Sequence, residues 1–201
     1  MTSQLRVLGG VDYVNFVDKL LNVNMARADK APSQNNYDLK LFKSLRKMIS
    51  SLKKREEEGG LARLVAGYSW EWRSKKHKQR IDIEIEGLKL RWNSTNSDWI
   101  NSNNAINEVG CIHTTQGYDL NFVGVIFGHE ITYDPKVDEI VIKKENYYDR
   151  NGKVSIQDPN VLKSYIINIY KTLMLRGIRG TYIYVCDDNL REYFAKSLKV
   201  D

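Results

Sequence analysis

Residues 113–119 form a polar segment in which hydroxyl, amide and carboxylate groups are concentrated. The segment lies between two short apolar runs, residues 109–112 and residues 123–127, which are typical of buried β-strands. In an open α/β sheet, ligands bind beyond the carboxyl ends of the strands. A polar turn that follows such a strand is therefore a candidate binding site, and we expect it at that edge of the sheet.

Arg176 is a second candidate, because it stands at the end of a predicted helix and is followed by Gly177. One interpretation is structural: a cation at a helix C-terminus complements the helix dipole, and the glycine supplies the C-cap. The other is an arginine finger, since a rigid and permanently charged guanidinium can neutralise charge on a transferring phosphoryl group. This stretch alone leaves both interpretations open.

Residues 70–80 combine tryptophans with cationic side chains. The cations are Arg73, Lys75, Lys76, His77, Lys78 and Arg80, and they stand beside Trp70 and Trp72. Such a segment can bind phosphates and stack the bases of a single strand, each stacked base contributing about 1–3 kcal/mol. The alternative is a solvated loop beside core aromatics, because runs of charge are usually just surface. The residues we assign to nucleic-acid contact are Trp72, Arg73, Lys75, Lys76 and Lys78.

Three other kinds of chemistry fit the sequence less well. The conceivable zinc ligands are Cys111, His113, His129 and Cys186. They lack the short paired spacings of zinc sites, and a buried Cys111 activated by His113 would make an inert nucleophile. The conceivable nuclease carboxylates are Asp82, Glu84 and Glu86. Alternate residues of a strand share one face, and the polar faces of ordinary hairpins have the same pattern. We therefore predict no metal site.

The hydrophobic patterns predict helices that alternate with strands. Helices are expected over residues 11–22, 37–58, 159–175 and 188–198. Strands are expected over residues 61–66, 109–112, 123–127 and 181–186, and β-hairpins over residues 80–92 and 130–144. Residues 22–36 and 93–107 are polar and predicted to be irregular. This alternation indicates a three-layer α/β domain over residues 1–201, with a mostly parallel sheet and inserted β-hairpins.

The composition places the chain among ordinary globular proteins. Its 201 residues are 42% hydrophobic and 28% charged, and no apolar run approaches the about 20 residues of a membrane span. The first residues lack a signal-peptide pattern, and both cysteines lie in apolar strand-like segments, which favours the cytoplasm. The net charge of +6 favours an anionic partner without naming one.

Three short motifs resemble those of superfamily one helicases. Residues 111–120 (CIHTTQGYDL) resemble the nucleotide-coupling motif Thr-x-His-x-x-Lys-Gly-x-Glu-Phe, with Cys111 and Gln116 as departures from it. Residues 170–177 (YKTLMLRG) resemble the last helicase motif, and residues 2–6 (TSQLR) resemble the Gln-x-Arg motif that opens the second RecA-like domain. Together with residues 62–72 and 90–93, they resemble the Schlafen group 3-like DNA/RNA helicase family over essentially the whole chain. The resemblance covers only the C-terminal, RecA-like half of that family's motor.

This resemblance implies roles for individual residues. Arg6 and Arg176 would reach the γ-phosphate of ATP. The residues implied at the nucleotide cleft are Gln4, Gln116, Gly117 and Asp119, with the carboxylate of Asp119 bonded to the ribose. The residues implied to face a nucleic-acid backbone are His113, Thr114 and Thr115.

The sequence contains no Gly-x-x-x-x-Gly-Lys-[Ser/Thr] loop and no apolar strand that ends in a paired acidic motif suited to coordinating Mg²⁺. Because phosphoryl transfer needs a phosphate cradle, a metal and a positioned water, we expect this chain alone neither to bind ATP and Mg²⁺ stably nor to hydrolyse ATP. In the full-length protein, a missing N-terminal P-loop domain would complete the ATP site, and a single-stranded nucleic acid would be the partner. We expect an excised domain or a truncated reading frame. The alternative is a standalone nucleic-acid-binding or interaction module without NTPase activity.

Overall fold

The structure, a computed structural model, describes residues 7–26, 31 and 37–201. In chain order, its elements are α1 (Gly10–Leu21), β1 (Asp38–Phe42), α2 (Leu45–Gly59), β2 (Ala62–Ala66), β3 (Ile83–Ile85), β4 (Leu88–Leu90), β5 (Val109–Gly110), β6 (Leu120–Phe127), β7 (Ile131–Asp134), β8 (Glu139–Ile142), α3 (Arg150–Ser155), α4 (Pro159–Met174), β9 (Gly177–Val185) and α5 (Asp188–Ala195). Short 3₁₀ turns lie at Trp99–Asn101, Ala105–Asn107 and Lys144–Asn146.

A five-stranded parallel sheet forms the centre of the described part of the chain. Its strand order is β1-β9-β6-β2-β5, so that β1 and β5 are the edge strands. The two predicted hairpins are confirmed as the antiparallel pairs β3–β4 and β7–β8. Because all five sheet strands run in the same direction, the sheet has one amino edge and one carboxyl edge.

Helices cover both faces of the sheet. The helices α1, α4 and α5 pack on one face, and α2 packs with the β3–β4 hairpin on the other. In β6, Val125 belongs to the first core and its neighbour Ile126 to the second, which explains why this strand is an uninterrupted apolar run. The three-layer α/β architecture is that of a RecA-like domain, as the sequence predicted.

Helices α4 and α5 begin where the sequence indicated. The carboxylate of Asp158 accepts the backbone N–H groups of Asn160 at 2.7 Å and Val161 at 3.4 Å, and Pro159 occupies the first helical position of α4. Asp187 caps α5 in the same way, with its carboxylate accepting the N–H of Leu190 at 2.9 Å. No helix within the described ranges is long and apolar enough to cross a membrane.

The predicted helix over residues 37–58 is wrong in its first part. Asp38–Phe42 is the edge strand β1, which pairs in parallel with β9, and the helix begins only at Leu45. Leu41 fits a helical stripe with Leu45 as well as a strand face with Leu39, and pairing with a strand about 140 residues away decided between them. The short helix α3 was not predicted.

Candidate functional site

The turn over residues 111–119 connects the two edges of the sheet. It leaves the carboxyl end of β5 at Gly110 and reaches the amino end of β6 at Leu120. Since β5 and β6 both run parallel to β2, the connection has to return along the whole sheet. We expected all of the polar turn at the carboxyl edge. That expectation is wrong for its second half, which lies at the amino edge.

The first half of the turn is held together by its own threonines. The hydroxyl of Thr114 donates to the carbonyl of Cys111 at 3.0 Å, and the hydroxyl of Thr115 donates to the same carbonyl at 3.2 Å. Both threonines are buried, whereas His113 is exposed. Of the three residues expected to face a nucleic-acid backbone, only His113 presents its side chain to solvent. The threonine hydroxyls instead shape the turn that carries it.

The second half of the turn meets Arg176. The carbonyl of Arg176 accepts the N–H of Leu120 at 2.9 Å, and its guanidinium donates to the carbonyl of Tyr118 at 3.3 Å. Arg176 precedes the first residue of β9, and Asp119 precedes the first residue of β6, in adjacent strands. The structure therefore brings Arg176 together with the segment that contains Gln116, Gly117 and Asp119.

Gly117 has a backbone conformation that other residues rarely adopt. Its φ is +85°, and a Cβ added there would meet no atom within 4 Å among the described residues. Glycine is needed at this position because of the positive φ, since a side chain there would have space. Gln116 and Gly117 are both exposed, so the amino edge presents accessible backbone beside Arg176.

Gln4 and Arg6 lie outside the described residues. The segment that follows them is described: the N–H of Leu8 donates to the carbonyl of Ile178 at 2.9 Å. Leu8 and Ile178 each stand two residues after a predicted phosphate-contacting arginine, Arg6 and Arg176 respectively. The two arginines thus belong to segments whose continuations are hydrogen-bonded to each other.

Gly177 has a different role from the predicted helix cap. It is the first residue of β9, and a Cβ there would lie 2.2 Å from the carbonyl oxygen of Gly180. The C-cap of α4 is Leu175. A larger residue at position 177 would push apart the backbone that follows Arg176. Glycine is therefore needed because the carbonyl of Gly180 lies too close for a side chain.

A row of rings extends from His113 to the basic loop, residues 73–80. Ring centroids are separated by 6.0 Å for His113 and Tyr68, 5.6 Å for Tyr68 and Trp92, and 6.1 Å for Trp92 and Trp72. The ammonium of Lys75 lies 5.4 Å from the ring centroid of Trp72. Burial raises the pKa of Tyr68, so its hydroxyl stays protonated. The sequence analysis did not identify Tyr68 and Trp92 as site residues; they stand two residues after the last residues of β2 and β4, respectively.

Asp82 anchors the basic loop. Its carboxylate accepts the N–H of Ser74 at 2.7 Å and the N–H of Trp92 at 2.9 Å, and it is buried. The four cations assigned to nucleic-acid contact are exposed: Arg73, Lys75, Lys76 and Lys78. Glu86 is also engaged, since it accepts the N–H of Leu45 at 3.1 Å. Within the described ranges, no three His, Cys, Asp or Glu side chains are grouped so that they could hold a metal ion.

The fold and the arrangement of these residues define a RecA-like α/β domain with helicase-type motifs at both edges of its sheet. A family model described as "Schlafen group 3, DNA/RNA helicase domain" matches residues 1–187, and the chain belongs to this family. The predicted family is thereby confirmed.

One curated relative is the uncharacterized protein YPL245W of Saccharomyces cerevisiae, which is 30% identical over 206 residues. The aligned region covers 96% of this chain and 45% of that protein, so the chain spans less than half the length of this relative. No solved structure matches the chain significantly.

Proposed function

We propose that this chain is the second motor domain of an ATP-dependent DNA/RNA helicase or translocase. The observation that carries the proposal is the course of residues 111–119. This turn begins at the ring row, which extends to the basic loop, and it ends beside Arg176. One continuous segment therefore connects a surface suited to nucleic acid with an edge suited to nucleotide phosphates.

At the amino edge, the proposed chemistry is charge neutralisation. Arg176 would approach the γ-phosphate of an ATP bound between this domain and a P-loop domain, together with Arg6 from the adjoining segment. The exposed backbone at Gly117 would lie along the nucleotide, and the carboxylate of Asp119 would accept from a ribose hydroxyl. Mg²⁺ would supply further neutralisation of the phosphates, and its ligands would come from the other domain, since no three His, Cys, Asp or Glu side chains are clustered among the described residues.

At the other end of the turn, His113 and the basic loop would contact a single strand. Closure of the two motor domains around ATP would pull on residues 116–119, and the rigid threonine-bonded half of the turn would transmit this movement to His113. ATP can drive such closure only because it binds the closed state more tightly than the open one.

The first test is Arg176→Ala in the full-length protein, with ATPase turnover as the measurement. Loss of an arginine finger is expected to lower turnover by about 10³- to 10⁵-fold. Arg176→Lys should recover little of it, because an ammonium keeps the charge but lacks the planar fork.

The control is Arg46→Ala, which removes an exposed arginine of α2. It should leave turnover within about twofold of the unmodified protein, since a surface arginine away from the phosphates contributes no transition-state charge. Near-normal turnover in Arg176→Ala would refute the finger and favour the alternative, a nucleic-acid-binding or interaction module without NTPase activity.

A further inference from the structure

A cavity of about 330 Å³ lies between the basic loop and the irregular segment of residues 93–107. The N–H of Asn93 in its wall donates to the carbonyl of Val109 at 2.9 Å, which places the cavity beside the edge strand β5. Its volume falls at the lower end of the range for small-molecule sites, roughly 300–1,000 Å³. Neither Arg176 nor any of residues 116–119 lines the cavity.

Two residues of the cavity wall have buried polar atoms without a partner among the described residues. Trp92 is 1% exposed and Asn93 is 2% exposed. The indole Nε1 of Trp92 and the Oδ1 of Asn93 make no hydrogen bond to any residue that the structure describes. Asn93 donates from Nδ2 to the carbonyl of Thr95 at 2.9 Å, which fixes its amide so that Oδ1 remains as an acceptor. Buried polar groups are nearly always bonded, so one donor and one acceptor here require an explanation.

The rim of the cavity is positively charged. Lys75, Lys78 and Arg91 line it and are exposed, and none of them forms an ion pair with a described carboxylate. The one carboxylate in the wall, Glu108, is engaged by the indole N–H of Trp99 and the backbone N–H of Ser94, both at 2.9 Å. Three cations around one hydrogen-bonded carboxylate leave an excess of positive charge at the rim, which favours a ligand that carries a phosphate.

We propose that this cavity binds one unpaired nucleotide of a nucleic-acid strand, with the base inside and the phosphate at the rim. The Watson–Crick edge of every base offers at least one hydrogen-bond donor and one acceptor, which match Asn93 Oδ1 and Trp92 Nε1. That edge is available only when the base is unpaired. Trp72, which also lines the cavity, provides an aromatic face beside the base. The proposal deepens the proposed function and rests on its assumption that a single strand reaches the basic loop.

The test compares two double variants in the full-length protein without ATP. Lys75 and Lys78 line the cavity, whereas Lys43 and Lys47 are exposed and do not. Each variant, Lys75→Ala/Lys78→Ala or Lys43→Ala/Lys47→Ala, removes two positive charges. The probe is a fluorescent strand of about ten deoxythymidines, a length within the site sizes of single-strand-binding proteins, and the readout is its dissociation constant by anisotropy.

The cavity variant should weaken binding by about tenfold or more, and the matched variant by less than about threefold, because only the first loses rim contacts to phosphate. An abasic strand of the same length should bind the unmodified protein about fivefold or more weakly, since it keeps the phosphates but cannot fill the cavity. This second comparison needs no variant and therefore does not depend on how a variant folds.

Equal weakening by the two variants, or equal binding of the deoxythymidine and abasic strands, would overturn the nucleotide site. Those outcomes would leave the Arg176→Ala result unaffected, so the two proposals can fail independently. If the unmodified protein binds neither strand, the nucleotide site and the strand-binding part of the proposed function both fall. An acidic peptide that binds the unmodified protein when neither strand does would assign the cavity to a protein partner instead.

Discussion

Glu130 is a carboxylic acid enclosed in the core at the carboxyl edge of the sheet. It is 0% exposed, its Oε1 accepts from the hydroxyl of Tyr170, and its Oε2 has no partner among the described residues. Burial raises the pKa of Glu130 above its ordinary value of 4.5, because the charged form loses hydration. A carboxyl in this environment is stable as the neutral acid and costly as the anion.

This residue therefore makes stability dependent on pH. Its contribution is fully present below the unfolded pKa of 4.5 and is lost as pH rises through the higher pKa of the folded state. In Glu130→Gln, the free energy of unfolding should fall less between about pH 4.5 and about pH 8 than in the unmodified protein, by about 1.4 kcal/mol for each unit of pKa shift. Urea unfolding at both pH values measures the difference.

Glu84→Gln serves as the control, because Glu84 is an exposed carboxylate on the β3–β4 hairpin. Should the gap between Glu130→Gln and the unmodified protein stay constant across that range, the carboxyl of Glu130 would not be held neutral by the fold.

The position of the basic loop depends on hydrogen bonds to a residue outside the loop, Asp82. Asp82 bonds Ser74 in the loop and Trp92 beyond the hairpin, so the β3–β4 hairpin fixes where the lysines stand. Exposed lysines on an anchored loop can contact several phosphates at once. Each contact releases counterions and makes strand binding dependent on salt.

Replacing Lys75, Lys76 and Lys78 with alanine should therefore flatten the dependence of strand affinity on salt. The slope of log K against log salt concentration should decrease in magnitude by about 0.7 for each phosphate contact that is lost. Titrations of the labelled strand at several salt concentrations measure it. The control variant removes three exposed lysines in and just before α2: Lys43, Lys47 and Lys54. If the loop variant leaves the slope unchanged, the loop is a solvated surface loop that does not contact the phosphates of the strand.

At the scale of the whole molecule, the proposed nucleotide edge and the strand surface lie at opposite ends of one turn. Coupling between two sites is reciprocal: if ATP changes strand affinity by some factor, the strand changes ATP affinity by the same factor. We expect a factor of about 5 to 150 in the full-length protein, measured with a non-hydrolysable ATP analogue. Arg176→Ala should bring both factors towards 1, while Arg46→Ala should not. Factors of 1 in the unmodified protein, or factors that Arg176→Ala leaves unchanged, would argue against coupling through residues 111–119.

The sequence predicted most elements because their patterns are local. The β6 run is apolar at nearly every position and α4 has a cap at Asp158, so a short window was enough for each. β1 was mistaken for the start of a helix because Leu41 fits both a helical stripe and a strand face. Only pairing with β9 distinguishes the strand from the helix. Thr114 and Thr115 were placed in the correct turn. The sequence did not show that both side chains are buried and that their hydroxyls donate to the carbonyl of Cys111.

By itself, the sequence determined the family, the three-layer class and the motifs, since these depend on residue types and spacings that a chain displays directly. The tertiary structure decided which edge of the sheet each motif occupies, and it separated Arg176 from the ring row that begins at His113. It also formed the cavity lined by Trp92 and Asn93. No sequence pattern predicts that Trp92 Nε1 and Asn93 Oδ1 are buried without a hydrogen-bond partner among the described residues. The physical reason is that strand order and direction arise from pairing between distant segments, and a connection between parallel strands must cross the sheet whatever its own sequence.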